Sequence, residues 1–302
     1  MATITRAQIA KELVPGLKAL FGLEYKAYPE QHTMFYEVDS SEKAFEEELK
    51  LSGFGYALDK AEGKAIGYDT AEEAWTARYT HQTVALGFVI TEEAMEDNLY
   101  ESLSKRYTKA LARSMAQTKQ IKAASVLNGG FATFKSGDAV YLFSASHPLQ
   151  GGGTVSNLLS TAADLNETSL EAATIQISKW TDDRGLLIAA RPKRLIIPTD
   201  LQFVASRLLD NADRPGTADR DINAIVKTGA VPGGYAVNNY LTDTNGWFLT
   251  TDVPNGLKMF VRRPYKFEKD SDFETGNLKF KASERYSFGV SDPLGVFGTP
   301  GA

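Results

Sequence analysis

The chain contains no cysteine. That excludes disulfides, thiolate nucleophiles and cysteine-based zinc sites, and it fits a protein made in a reducing cytoplasm. Histidine is scarce too. His32, His81 and His147 lie far apart and match no metal-ligand spacing. No apolar run approaches the roughly 18 residues that signal a membrane-spanning helix. The opening MATITRAQIAKELVPG has no apolar core of the signal-peptide kind. Excess positive charge is also missing. The formal net charge is -5, so any contact with nucleic acid has to be local and weak.

Catalytic signatures are missing as well. Gly151-Gly152-Gly153-Thr154 has no lysine and follows no clear buried strand, so it is not a phosphate loop. No G-x-S-x-G elbow occurs. Asp182-Asp183 before Arg184 reads as the turn at a helix C-terminus. His147, just before Pro148, reads as a hydrogen-bonding loop residue. The carboxylates Glu46 and Glu48 fall on an extended arm, where no pocket is expected. The expectation is a non-enzymatic protein with no metal and no cofactor.

What is present is an ordinary globular composition, 43% hydrophobic and 24% charged over 302 residues. That supports one large or two modest domains with real cores. The segment from Ser40 to Asp97 stands out. Two extended arms flank a tip punctured by Gly53, Gly55, Gly63 and Gly67. A tip so far from its own domain makes sense when it lies on another subunit. Leu51, Gly53, Phe54, Gly55, Tyr56, Lys60, Lys64 and Gly67 are the candidate contacts. Before the hairpin, residues 1–35 form a lead with Phe21, Tyr25 and Tyr28, read either as a helix docked on its own domain or as an arm across a neighbour.

After the hairpin, the pattern predicts a helix from Thr91, a good N-cap, to Leu127, with a stop at Asn128-Gly129-Gly130. Such a helix is roughly 55 Å long. On a helical wheel Leu99, Leu103, Tyr107, Ala110, Leu111 and Ile121 share an arc, which predicts the buried face. Lys105, Arg106, Lys109 and Arg113 fall opposite, as a solvated face or as one that meets a polyanion.

Residues 138–269 alternate between strand-like and helical runs, which predicts a compact α/β or α+β unit. A strand-like AVYLF opens it. Asn166 to Trp180 reads as a helix with Leu170, Ala173, Ile177 and Trp180 inward. Arg194 to Ile197 reads as a buried strand, and Thr199 or Asp200 as the cap of a helix over LQFVASRLL. In the closing strand, Leu278, Phe280, Ala282, Tyr286, Phe288 and Val290 share one face, while Lys279, Lys281, Ser283, Arg285 and Ser287 share the other.

These residues carry a resemblance. SSEKAFEEELKLSGFG (Ser40 to Gly55), EAWTARYTHQTVALGFVITEE (Glu73 to Glu93), RYTKALARSM (Arg106 to Met115), LFSASHP (Leu142 to Pro148) and ERYSFGVSDPLGVFGTPG (Glu284 to Gly301) stand in an order that resembles the major capsid proteins of tailed bacteriophages. The resemblance implies the α+β HK-type capsid fold. It casts residues 1–35 as an N-terminal arm and 36–90 as an extended loop. It casts 91–137 and 269–302 as a peripheral domain with a spine helix, and 138–268 as an axial domain. It implies a structural shell protein of the virion, assembled in the host cytoplasm. Its copies would form pentamers and hexamers in an icosahedral head around double-stranded DNA, with a portal and no membrane. Phe21, Tyr25 and Tyr28 would serve as arm contacts, and the four basic residues would line the inner surface. The chain leaves no room for a cleaved scaffolding segment, so a separate scaffold and maturation protease are expected. A decoration protein is a further partner of some members. Others weld subunits by Lys–Asn isopeptide bonds; Lys60 and Lys64 sit near the tip, but no matching Asn and Glu stand out. The alternative within the same fold is the shell of an encapsulin-like protein nanocompartment.

Overall fold

The computed structural model describes residues 6–96, 100–211, 213 and 222–302. In chain order the elements are α1 (Arg6–Ala27), β1 (Glu37–Ser40), β2 (Phe45–Leu51), β3 (Glu73–Thr80), β4 (Gln82–Ile90), α2 (Glu92–Glu96) and α3 (Tyr100–Asn128). Two short strands, β5 (His147–Pro148) and β6 (Thr154–Val155), precede α4 (Glu167–Ser178), β7 (Pro192–Ile197), α5 (Gln202–Leu209), α6 (Ala224–Thr228) and β8 (Tyr235–Val237). The chain closes with β9 (Trp247–Thr251), β10 (Leu257–Ser271), β11 (Leu278–Val290) and β12 (Val296–Thr299).

Two sheets organise the molecule. The first has the order β1-β10-β11-β4. Its centre is the long antiparallel pair of β10 and β11, and β4 pairs with β11 from Gln82↔Tyr286 to Ile90↔Leu278. Helices α1 and α3 lie on one face. Leu17 and Phe21 from α1 meet Leu111, Ala112, Met115 and Ala116 from α3 over Phe267, Phe280 and Ala282 of the sheet. The alternation expected in β11 is present, with Leu278, Phe280, Ala282, Tyr286 and Val290 buried and Lys279 and Lys281 exposed. Ser283 and Ser287 on the opposite face are also buried. There β3 crosses the sheet, and Tyr79 packs edge-on against Phe260 at 4.9 Å.

The second sheet, β12-β9-β7-β8, packs against α4, α5 and α6 around Trp247, Leu249, Leu195, Ile197 and Phe297. The inward residues expected of α4 are its buried ones: Leu170, Ala173, Ile177 and then Trp180. Asn166 caps the helix, accepting from the Ser169 amide while the Ser169 hydroxyl accepts from the Asn166 amide, a reciprocal box.

Several boundaries differ from expectation. The hairpin proper is β2 and β3, narrower than 36–90, because β1 and β4 belong to the first sheet. That sheet also takes β10 from Leu257 onward, while β12 crosses into the second sheet. AVYLF is not a strand. It turns at Ala139, where φ is 64°, and buries only Leu142 and Phe143. The segment at Asp182 is a tight turn between bridged Thr181 and Leu187, not a helix end. Asp182 Oδ1 accepts from the amides of Arg184 and Leu186. A short 3-10 turn over Thr199–Leu201 stands where a side-chain cap of α5 was expected.

The long helix differs most. Thr91 precedes α2, with its Oγ1 accepting from the Ala94 amide, and α3 stops at Asn128 as the glycines require; the continuity expected between the two helices falls on residues 97–99, outside the described residues. Asp97 and Leu99 lie outside the described residues. The buried face, however, is Ser104, Thr108, Leu111, Ala112, Met115, Ala116, Ala123 and Ala124, whereas Tyr107 and Ile121 are exposed at 48% and 56%. Ala110 is also exposed, and Leu103 is only half-buried. Small side chains at Ser104, Thr108, Ala112 and Ala116 let α1 and the sheet approach α3 closely beside Leu111 and Met115, so that of the expected arc Leu111 is buried while Tyr107, Ala110 and Ile121 are not.

A strap of residues 30–36 crosses α3. The His32 amide donates to Gln120 Oε1, and Gln120 Nε2 donates to His32 Nδ1 at 2.9 Å. Burial lowers the His32 pKa below the ordinary 6.5. A base whose folded pKa is depressed binds fewer protons when folded, so its stability contribution is lost as pH falls below about 6.5. His32→Gln is expected to flatten that dependence. Thermal melts of both proteins from pH 7.5 to 5 should converge toward the acid end; parallel curves would show that His32 does not titrate in this window.

Candidate assembly site

The hairpin is an antiparallel ladder running from Phe45↔Thr80 to Leu51↔Glu73. Its base is pinned to both halves of the molecule. Trp75 Nε1 donates to the Ser291 carbonyl at 3.3 Å, and Tyr79 Oη bonds Ser291 Oγ at 2.5 Å. Lys50 Nζ lies 3.0 Å from Asp292 and 3.8 Å from Asp183, and 4.4 Å from the centre of the Trp75 ring. Lys258 pairs with Glu48 at 2.5 Å. Two glycines make the docking possible. A Cβ on Gly289 would stand 2.6 Å from the Tyr79 ring, and one on Gly137 would stand 2.5 Å from the Trp75 ring.

The tip is different. Ser52 is buried, but no residue from 53 to 72 is. Residues 54–69 loop around an open basin of about 930 Å³. Phe54, Tyr56, Leu58, Ile66 and Tyr68 are 62%, 71%, 84%, 56% and 90% exposed. Asp69 organises the loop by accepting from the Gly55 and Thr70 amides, and these bonds hold its carboxyl below the usual range. The tip is not wholly free of its own chain. Arg184 donates to Asp69 at 2.7 Å and to the Thr70 carbonyl, and Tyr56 Oη reaches the Gly185 carbonyl at 3.4 Å. Among the predicted contact residues, Leu51, Gly53, Phe54, Tyr56, Lys60, Lys64 and Gly67 are exposed and Gly55 is half-buried.

The arm residues need correction. Phe21 is fully buried and Tyr25 is 4% exposed. Both stack under β10, with the Phe21 ring 5.2 Å from Phe267 and the Tyr25 ring 4.8 Å from Tyr265. Their side chains complete this chain's own core and are not presented to a neighbour; Tyr28 is half-buried beside them. Tyr25 Oη also donates to the buried Glu284, which Lys119 neutralises at 3.0 Å. Burial raises the Glu284 pKa against the pull of Lys119.

Lys105, Arg106, Lys109 and Arg113 are all exposed on α3, and Lys109 lies 3.7 Å from Glu24. Among the described residues no group of acidic and histidine side chains is placed to hold a metal, and no helix is long and apolar enough to cross a membrane. His147 bonds Asp138 at 2.6 Å and Asn157 at 3.1 Å, which is the hydrogen-bonding loop role expected of it. Lys50, Asp183, Asp292 and Arg184 carry no local signal of these roles in the sequence, since their partners are distant in the chain.

Residues 73–298 match the phage capsid protein family. The chain belongs to that family, and its architecture is the HK-type capsid fold. The capsid of the cyanophage P-SCSP1u superposes with a TM-score of 0.56 at 11% identity, covering 89% of this chain and 86% of that one. The capsid of the Myoviridae phage XM1 gives 0.54 at 11% identity, with 88% and 90% covered. A virus-like particle from Pyrococcus furiosus gives 0.51 at 12% identity, with 94% and 97% covered. No curated protein sequence matches the chain. The protein is thus a structural capsid protein of a virion. The family match favours this over the nanocompartment shell, although the archaeal particle has a similar fold.

Proposed function

We propose that this chain is the major head protein of a tailed phage, that its copies interlock as pentamers and hexamers in an icosahedral shell, and that the hairpin tip is the main interlocking element. The observation that carries the reading is the tip itself. Five large apolar side chains stand exposed on an extension that adds no buried residue to its own chain beyond Ser52. A lone soluble domain has no use for such a patch, whereas repeated head-to-tail contacts close a shell. The role is mechanical rather than catalytic. A separate scaffold, protease and portal act during assembly, and a decoration protein is an optional outer partner. Expression of the full chain, with and without a scaffold, and electron microscopy of the product test this. Closed shells are the expected result; a persistent monomer under both conditions would end the reading.

The exposed basic face of α3 supports an inner lining against double-stranded DNA. Phosphate attraction carries no sequence information, and the Debye length of about 8 Å at physiological salt limits its reach. Changing Lys105, Arg106, Lys109 and Arg113 together to Ser is expected to leave shell assembly unaltered while lowering the fraction of heads that retain a full genome. A density map placing these side chains on the outer surface would overturn the assignment.

A further inference from the structure

Positive charge is crowded onto one spot of the first sheet, on the face opposite α1 and α3. Arg263 of β10 and Arg285 of β11 are direct cross-strand partners. Such partners stand about 4.5–5.5 Å apart at Cβ, and like charges placed there repel. The ladder also slips register on both sides of Arg263, between Val261 and Arg263 and again between Arg263 and Lys266. Arg262 is the extra residue of the first slip. Bulges of this kind bend the strand and re-aim side chains, and they recur beside functional sites.

No carboxylate of the described residues pairs with any of these three arginines. The acidic groups of the neighbourhood are committed. Glu46 holds Lys43 at 3.1 Å and accepts from the Ser41 hydroxyl, while Glu268 is shared by Lys266 and Lys281. Arg263 spends one donor on Ser283 Oγ at 3.0 Å. Arg285 Nε is buried and has no hydrogen-bond partner among the described residues, a costly state for a charged donor. The buried His81 beside them lies 2.9 Å from Ser41 Oγ and 3.0 Å from Ser287 Oγ. Burial lowers its pKa, and the charges of Arg285 and Arg262 push the same way against Glu46. The arginines are therefore close to one another and to a neutral ring.

We propose that Arg262, Arg263 and Arg285 form a binding site for one free oxyanion of the phosphate class. The guanidinium fork matches the paired oxygens of such an ion, and a dianion offers enough acceptors to meet three forks and the orphaned Arg285 Nε at once. Arg262 and Arg285 are half-buried, so their attraction is screened less than that of a fully exposed pair. The flanking carboxylates Glu46 and Glu268 set the size of the ligand. They leave the centre positive but repel an extended polyanion, which favours a single free ion over a nucleic-acid backbone. The place is also informative. β1 pairs with β10 as far as Ser40↔Val261, and His81 is the turn between β3 and β4. The ion thus ties β10 to β11 at the foot of the hairpin, where the chain alone leaves only repulsion.

The test is a set of thermal melts of the full-length chain at pH 7.5, in sodium chloride and in sodium phosphate of matched ionic strength. The melting temperature is expected to rise saturably with phosphate, by about 4 °C at a concentration about 30-fold above half-saturation. The general exclusion of phosphate from protein surfaces also stabilises, so the saturating part of the curve is the signal. Arg285→Gln removes both a fork and the cross-strand repulsion. It is expected to melt at or above the parent in chloride, to lose the saturable rise, and to bind inorganic phosphate at least tenfold more weakly by calorimetric titration. A parent protein with no saturable response overturns the proposal. So does an Arg285→Gln protein that melts lower in chloride yet keeps the response, since the arginine would then be satisfied within the chain. Displacement of phosphate by a short DNA duplex would assign the site to nucleic acid and overturn the free ion. None of these readings needs a particle, so their failure leaves the shell-building reading untouched.

Discussion

Replacing Asn157 with leucine is expected to destabilise the folded chain by about 4 kcal/mol and to lower its melting temperature by about 8 °C. Asn157 is fully buried and its amide is used at both ends. Nδ2 donates toward the carbonyls of Leu142, Pro293 and Val296 at 2.7, 3.0 and 3.3 Å. Oδ1 accepts from the Ser144 amide at 2.9 Å and faces His147 Nε2 at 3.1 Å. The three carbonyls fix the orientation of the amide, so His147 must donate from Nε2. Its Nδ1 faces Asp138. Burial pushes the Asp138 carboxyl up, but the hydrogen bonds from His147 and Ser136 outweigh it and hold its pKa below the ordinary value. Leucine has the same branched heavy-atom outline and is bulkier, so no cavity opens; the loss comes from orphaned polar groups, with some overpacking added. Each such group costs about 1–3 kcal/mol when buried without a partner. The segments joined by Asn157 come from the two halves of the molecule, and the C-terminal turn at Pro293 leads β11 of the first sheet into β12 of the second. Loosening this junction should therefore lower the unfolding midpoint of both halves together. A shift below about 2 °C would show that the carbonyls find other partners.

Why Asn157 escaped the sequence reading is instructive. Its partners lie up to 139 residues away, and one asparagine in a loop has no local signature. The same holds for Lys50, whose carboxylate partners come from two other loops. Periodic elements were legible because their signal is local. β11 alternates because one side packs beneath two helices, and α4 shows its inward face because Leu170, Ala173 and Ile177 follow the helical repeat. Helix α3 misled for a physical reason. A wheel weighs large apolar residues, yet of the arc it picks out Leu111 packs while Tyr107 and Ile121 do not, and much of the stripe that packs is Ser104, Thr108, Ala112 and Ala116, whose small side chains admit α1. The arc of Tyr107 and Ile121 was read correctly as apolar and wrongly as this chain's own core. Apolarity says that a surface is to be covered, not which molecule covers it. Phe21 and Tyr25 erred in the opposite direction, assigned to a neighbour but buried at home. The hairpin itself was visible from its two strand-forming arms and glycine-rich tip, though the pins at its base were not.

Removing residues 53–71 and joining Ser52 to Glu72 through Asn-Gly is expected to leave a folded protein that does not assemble. The junction is favourable, since the Ser52 amide already donates to the Glu72 carbonyl at 2.8 Å, and Asn-Gly suits a two-residue hairpin turn. Little stability should be lost, because no residue in the deleted segment is buried and the ladder from Phe45 to Leu51 stays intact. The exposed Arg184–Asp69 pair disappears with the tip, but a pair with so much solvent around it contributes little to stability. The melting temperature should therefore change by no more than about 3 °C. Assembly should respond far more, because every copy loses its five exposed apolar anchors at once and each contact recurs around the shell. Particle yield by sedimentation is expected to fall at least a hundredfold. A second variant guards against an effect of loop length: Phe54→Ser, Tyr56→Ser and Leu58→Ser together keep the tip while removing its apolar face, and should reproduce most of the loss. If both proteins still form shells of normal size, the tip is not the interlocking element, and cohesion must come from the edges of the two domains.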